Sequence, residues 1–329
     1  MNVNEISLEF KQLHRKFIID FGLPVQVVHE PYFSERLPLL EEEYGAQTKY
    51  LILSELLRDR FGSSPSKFME YSHSLADKII TTVTNSSAYK QDFLRQLPTK
   101  KEIDQYIMSI KDKVTVGKKL YTQEQDGGLF VSYDMKKANF QLMKYLCPAV
   151  VFDCDTYADF IRIFTDIDYF VAAKGLRQAV FGKINPKEVS QAEFIESCKL
   201  LHHLIDTLPE GYKPYSLNND EVIFKFNGSE DEFKKDRVSG LEYDGINFRV
   251  ERFRLHSRKF KLSTSDSDLV VFEKEDIFSP DKRKLFCCPA TYYPQVYKLL
   301  HGLEIKPDDL VFYSDHELAR FLNPLKLVK

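Results

Sequence analysis

Val131-Ser132-Tyr133-Asp134-Met135-Lys136-Lys137-Ala138-Asn139-Phe140 is the stretch whose reading decides the fold. Gly127-Gly128 precedes it, an apolar strand runs from Leu129 to Asp134, and a helix is expected from about 136 to 146, stopped at Pro148. Asp134 therefore ends a strand just before a helix, which exposes its carboxylate at a sheet edge. Downstream, Asn218-Asn219-Asp220-Glu221-Val222-Ile223-Phe224-Lys225-Phe226 sets an acidic pair ahead of an apolar run. Residues 215–226 read as a hairpin turning at Asn218-Asn219, and strand alternation points one of Asp220 and Glu221 back toward Asp134. Between the two stretches lies Lys174-Gly175-Leu176-Arg177-Gln178-Ala179-Val180-Phe181-Gly182, a basic, helix-like segment.

Carboxylate, basic helix, carboxylate, in that order, is what a two-metal phosphoryl-transfer site needs. Acidic oxygens hold Mg²⁺ or Mn²⁺ on the attacking and leaving oxygens, and cations grip the incoming phosphates. The same residues carry a resemblance. Asp134-Met135-Lys136-Lys137-Ala138-Asn139-Phe140-Gln141-Leu142 resembles motif A of family A DNA polymerases and of reverse transcriptases. Asn219 to Phe226 is similar to the family A motif C, and Arg177-Gln178-Ala179-Val180-Phe181-Gly182 to the nucleotide-binding helix of motif B. The likeness covers about residues 128–226, roughly a third of the chain.

The resemblance implies a nucleic-acid polymerase palm. Asp134 and Asp220 would be the metal ligands, with Glu221 beside them in the catalytic set. Arg177 would hold the triphosphate with Lys174 as helper, Phe181 would stack on the incoming base or sugar, and Asn139 would take the sugar-gating position. Several positions depart from the pattern: Asn139 stands for Glu, Gln141 for Arg, Arg177 for Lys, and Asn185-Pro186 for Tyr-Gly. The interval from motif B to motif C is short, and no exonuclease motifs precede motif A. The whole chain also resembles uncharacterised proteins of large DNA viruses and phages, which implies a viral origin and assigns no function.

With 329 residues, 43% of them apolar, the chain has material for one large domain or two ordinary ones. Phe (26) and Tyr (18) supply the aromatics, since Trp is absent. A net charge of −3 gives no global basic bias, so nucleic-acid binding must come from local patches. Five cysteines without a CxxC pair fit a reducing compartment and argue against a structural zinc site. With no signal-peptide h-region at Met1-Asn2-Val3-Asn4-Glu5 and no apolar run of spanning length, the expectation is a cytoplasmic protein that does not enter a membrane.

The expected organisation is α+β: a mostly helical N-terminal region (1–110), a palm-like core with an antiparallel sheet and packed helices (111–240), and a β-rich C-terminal region with terminal helices (241–329). In detail, helices are read at 5–21, 34–61, from a Ser66 cap to about Thr84, and near 156–165, 168–182 and 187–207. Strands are read at 25–28, 241–255, 258–263 and 269–274, and an α-rich piece at 291–322.

The strongest basic patch is Phe248 to Lys261, with six Lys/Arg against one acid. Arg252, Arg254, Arg258 and Lys259 are the expected contacts to nucleic-acid phosphates, with Phe260 as a stacking candidate or a core residue. Other chemistries have weaker support. Asp153 within Phe152-Asp153-Cys154-Asp155-Thr156 suggests a haloacid-dehalogenase-like phosphatase, with Asp308-Asp309 as late ligands, but that fold needs alternating β/α units. His202-His203 occupies adjacent helical positions that do not share a face. Cys287-Cys288 reads as buried packing beside Phe286, and no P-loop, GxGxxG or GxSxG occurs. Two functional expectations stand: a primer- or template-dependent nucleotidyltransferase using nucleoside triphosphates, and a non-catalytic nucleic-acid-binding or assembly protein with a degenerate palm.

Overall fold

The computed structural model describes residues 3–235, 239–262, 267–281, 283–314 and 317–328, with side chains described from residue 8 onward. The chain is mixed α/β, with a helical N-terminal region followed by a mixed sheet. Local signals set several helix ends. Ser64 accepts a hydrogen bond from the Lys67 amide and Pro65 fills the first helical position, so the Pro65–Asn85 helix starts there and not at Ser66. Thr99 and Glu102 form a reciprocal capping box on Lys100–Ile110. Gly45 and Gly62, both at φ +59°, take the left-handed conformation that ends helices. Gly45 accordingly splits the single helix expected over 34–61, leaving Ala46–Phe61 as its long part.

Among the described residues the strands are β1 (Thr115–Val116), β2 (Leu129–Met135), β3 (Tyr212–Leu217), β4 (Glu221–Phe226), β5 (Gly240–Tyr243), β6 (Ile246–Lys261), β7 (Asp268–Asp276), β8 (Arg283–Phe286), β9 (Val311–Ser314), β10 (Glu317–Arg320) and β11 (Lys326–Leu327). The main sheet runs β1-β3-β4-β2-β6-β7-β8, with β5 and β11 also pairing β6. Every pairing is antiparallel except β1 with β3. The expected hairpin and the strand ending on Asp134 both form, and they are neighbours.

The single helix expected over 168–182 is two, Asp168–Ala172 and Lys174–Ile184, and the strand expected over 241–255 breaks between β5 and β6. Other expectations fail as well. Residues 25–28 form no strand; Val27 and Val28 are buried as loop, and His14 Nδ1 donates to the Val28 carbonyl at 2.8 Å in place of a partner strand. Residues 246–261 are one unbroken strand, because β2 and β7 pair with its two halves and overlap at residues 253 and 254. The α-rich piece at 291–322 is one short helix, Tyr293–Leu300, a 3₁₀ turn at Pro307–Leu310, and the β9–β10 hairpin. Position 263 of an expected strand and positions 315–316 of that piece lie outside the described residues.

The N-terminal helices do not pack alone. Phe17, Phe33 and Phe68 share one apolar core with Phe160, Phe170 and Phe181 from the 157–184 helices. A second core lies beneath the sheet, where Val131, Tyr133, Phe224 and Phe248 meet Phe194, Cys198 and Leu201 of the Lys187–Thr207 helix. On the opposite face, Phe130, Ile223, Phe253 and Leu255 are covered by Leu120. Beyond that cover, the Asp134 end of the same face is left half-exposed.

Candidate functional site

Strand pleating decides which side chains meet. Asp134 pairs with Glu221 on β4 and with Arg249 on β6, so the three lie side by side on one face. Ser132 and Glu251 form the next row on that face. Asp220, at the start of β4, accepts the Met135 amide at its backbone carbonyl at 2.8 Å. The two acidic stretches therefore converge at the end of β2. Glu221 is the direct cross-strand partner of Asp134, and Asp220 stands one residue beyond.

The carboxylates are mutually felt. Burial pushes the Asp134 carboxyl up to about 6; Arg249 opposes this, while Asp220, Glu221 and Glu251 push it further up. Asp220 is raised by burial and by Glu221. Glu193, beneath the β3–β4 turn, is raised to about 7 by burial and then by Asp220, and its Oε1 is buried without a hydrogen-bond partner among the described residues. Ser132 Oγ donates to Glu221 Oε1 at 2.5 Å, and Asn218 Nδ2 donates to Glu221 Oε2 at 3.4 Å. Arg249 Nη2 donates to Asp134 Oδ2 at 2.8 Å, and its Nε lies 3.4 Å from Glu251 Oε1.

Asp134, Asp220 and Glu221 offer only oxygen donors, which suits a hard divalent cation in kind. Among the described residues no three acidic, His or Cys groups gather round one point, and an Asp134 oxygen is taken by Arg249. The residue types suit such an ion, and their arrangement among the described residues does not bring three of them round one point.

A second cluster stands where the Ala138–Leu146 and Lys174–Ile184 helices begin. Lys137 adopts a left-handed conformation at φ +51°, a backbone state that is strained for a lysine. Its ammonium lies 5.0 Å from the Tyr157 ring centroid, and the Arg177 guanidinium lies 5.8 Å from the same ring. No acidic partner of either cation occurs among the described residues. The Lys137 ammonium is lowered by burial and by Arg177. Tyr157 is buried, and its hydroxyl has no hydrogen-bond partner among the described residues. Lys174, the expected helper, is exposed and runs beside Gly22 instead. Asn139 is exposed, and its side-chain oxygen accepts from Asn185 Nδ2 at 2.6 Å, tying the two helices together. Gln141 bonds the Asn247 carbonyl at 2.8 Å and the Asn247 amide at 2.9 Å, anchoring its helix to β6.

Two expectations for this site are corrected. Phe181 is 2% exposed and packs against Tyr157 and Phe160, so it is core and cannot stack on a base. The β6 cations do not form a phosphate track. Arg252 is buried against Tyr212 and Phe233, Arg254 pairs with Glu230, and Arg258 pairs with Glu273. Pleating puts Lys259 on the opposite side of the strand from those three, and it is exposed. Phe260 is fully buried and is core. Of the weaker candidates, Asp309 is held between Arg36 and Lys298, and Asp153 is exposed at φ +54°. His202 bonds Ser109 and Lys113 while His203 stacks on Tyr243. Cys287 is exposed, not buried.

Sequence reading missed Lys137, Tyr157, Arg249, Glu251 and Glu193 as members of the site. Strict alternation along β6 would have placed Arg249 and Glu251 on the Asp134 face. Nothing in the sequence marks the left-handed turn at Lys137.

No protein-family model, no curated protein and no solved structure matches this chain. Fold and site define a mixed α/β protein with a carboxylate cluster at the end of a central strand and two unopposed cations on nearby helix starts. No helix among the described residues is long and apolar enough to cross a membrane.

Proposed function

We propose that this chain is a nucleotidyltransferase of the polymerase-palm type, adding nucleotides from triphosphates to a primed or single-stranded nucleic acid. The observation that carries the reading is the register of β2 on β4, which sets Asp134 against Glu221 on the half-exposed face, with Asp220 one residue beyond that pair and helices on the other face. Asp134, Asp220 and Glu221 would hold Mg²⁺ or Mn²⁺, which supplies the positive charge that stabilises the attacking and leaving oxygens. Arg177 would hold the phosphate chain, and Lys137 takes the supporting role in place of Lys174. Asn139 would lie beneath the sugar. Its amide can pair with a 2′-hydroxyl, so discrimination would be weak or tilted toward ribonucleotides.

Primer extension with Mg²⁺ or Mn²⁺ and each nucleotide set tests this. Incorporation that disappears in Asp134→Ala and Asp220→Ala, with circular dichroism and melting temperature kept, is the expected result. Unchanged incorporation in either variant moves the chemistry elsewhere.

The second reading is a non-catalytic nucleic-acid-binding or assembly protein. It is favoured by the Arg249 guanidinium on Asp134, which neutralises the carboxylate without a metal. Salt-sensitive binding of single-stranded DNA or RNA without incorporation under any metal would select it.

A further inference from the structure

Tyr157 carries a buried hydroxyl for which the fold supplies no partner. The residue is 1% exposed, and its oxygen makes no hydrogen bond among the described residues. The ring is held in place by Phe140 and Phe181, whose centroids lie 6.0 and 6.2 Å away. A hydroxyl buried in this way forfeits its bond to water, and folded proteins leave few such groups unpaired. What reaches the ring is positive charge. The Lys137 ammonium and the Arg177 guanidinium both lie over it. Burial raises the pKa of the hydroxyl, and Arg177 is the charge that opposes the rise.

The backbone adds charge of the same sign. The Ala138–Leu146 and Lys174–Ile184 helices both begin without a side-chain cap, so their first amides stay donors at the positive ends of the helices. Asp20 stands beside Gly175, but it is already served by Lys16 at 2.5 Å and by the Tyr169 hydroxyl at 2.8 Å. The donors match one class of anion. A terminal phosphate offers three acceptor oxygens. A guanidinium takes two of them as a fork, an ammonium serves as a point charge, and a hydroxyl can donate to the third.

Resting on the nucleotidyltransferase reading for the identity of the phosphate donor, we propose that Tyr157 is a phosphate-positioning residue: its hydroxyl donates to the terminal phosphate of the triphosphate that Lys137 and Arg177 hold, and this seat fills without a divalent cation. Lys137 is exposed and Arg177 half-buried, so both side chains can swing off the ring to admit the anion, while the packed hydroxyl is the fixed donor. Tyr157 lies outside all three stretches that resemble polymerase motifs.

Calorimetric titration of the full chain with tripolyphosphate and with inorganic phosphate, in EDTA at constant ionic strength, tests this together with melting temperatures. Tripolyphosphate binds without metal and more tightly than inorganic phosphate. Tyr157→Phe keeps the ring and weakens tripolyphosphate binding about three- to tenfold, the worth of one hydrogen bond. Without anion the variant melts no lower than the unsubstituted chain, because the lost hydroxyl had no partner. Its gain in melting temperature on adding tripolyphosphate is smaller, since binding to the folded state stabilises according to affinity. Unchanged tripolyphosphate affinity in Tyr157→Phe overturns the proposal, as does binding that appears only with Mg²⁺. A variant that melts several degrees lower without anion also overturns it, by giving the hydroxyl a structural role. Inorganic phosphate bound as tightly as tripolyphosphate overturns the triphosphate as the ligand. The two ideas fail separately. Metal-free binding that Tyr157→Phe weakens, in a chain that incorporates no nucleotide, keeps the seat and removes the polymerase. Incorporation whose KM and kcat are untouched by Tyr157→Phe keeps the polymerase and removes the seat.

Discussion

Lys137 and Arg177 share one aromatic ring and have no acidic partner among the described residues, whereas the arginines along β6 are spoken for. Arg254 has Glu230, Arg258 has Glu273, and Arg252 is buried on Tyr212 and Phe233. By sequence the β6 stripe is much the more basic region. Its charge is spent inside the molecule, on pairs that hold β6 to β7 and to the short Glu230–Phe233 helix. The corner at the two helix starts has fewer cations but leaves them available. Affinity for an anion follows from cations that lack a partner, since an ion pair must be broken before its cation can serve a ligand.

The sharpest way to break this comparison is to show that the buried members are functional. Phe181→Ala is expected to cost roughly 3–5 kcal/mol as a core truncation, and Arg252→Ala about 2–3 kcal/mol through lost hydrogen bonds and ring contacts. Denaturant unfolding measures both. A Phe181→Ala protein of unaltered stability that has lost nucleotide binding would return the ring to the site.

Glu193 is the mirror case, an acid without a cation among the described residues. Its folded pKa of about 7 lies above its ordinary value of 4.5, so the folded state binds the extra proton. The associated stability is complete below pH 4.5 and is lost as pH rises to about 7, with a slope approaching 1.4 kcal/mol per pH unit. Glu193→Gln should flatten that part of the stability curve and leave the chain more stable at pH 8. An equally steep decline in the variant would mean that another group titrates there.

The smallest effects compare the two cation groups directly. Lys137→Ala and Arg177→Ala should each weaken tripolyphosphate binding about tenfold, the loss of one charge-assisted contact, while moving stability by no more than about 0.5 kcal/mol. Arg254→Ala and Arg258→Ala should leave that affinity unchanged; the first should cost about 0–1 kcal/mol as a partly exposed pair, and the second more, because it leaves the buried Glu273 carboxylate with Arg283 alone among the described residues. Calorimetric titration decides. Equal losses in both groups would dissolve the distinction.

Much of the frame follows from local rules. The strand ending on Asp134, the hairpin at Asn218-Asn219 and the long helix over 187–207 come from apolar periodicity and turn residues, which act over a few neighbours. Adjacent positions also told their own story at His202 and His203, which point to different partners. The expectation for residues 25–28 failed for the opposite reason: four apolar residues make a strand only if another strand lies beside them, and here the partner is a histidine on a helix.

By itself, the sequence determined that two acidic stretches and a basic helix exist, in which order, and on which kinds of element. Only the tertiary structure decided their company. Register made Glu221 the partner of Asp134 on one side and Arg249 its partner on the other. The shared core of the N-terminal and 157–184 helices drew Phe181 inside, and neighbouring strands and a short helix neutralised Arg254 and Arg258. Helix and strand formation depends on residues a few positions apart, which composition and spacing report. Burial and charge pairing join positions more than a hundred residues apart, such as Asp134 and Arg249, and are fixed only when the chain has closed on itself.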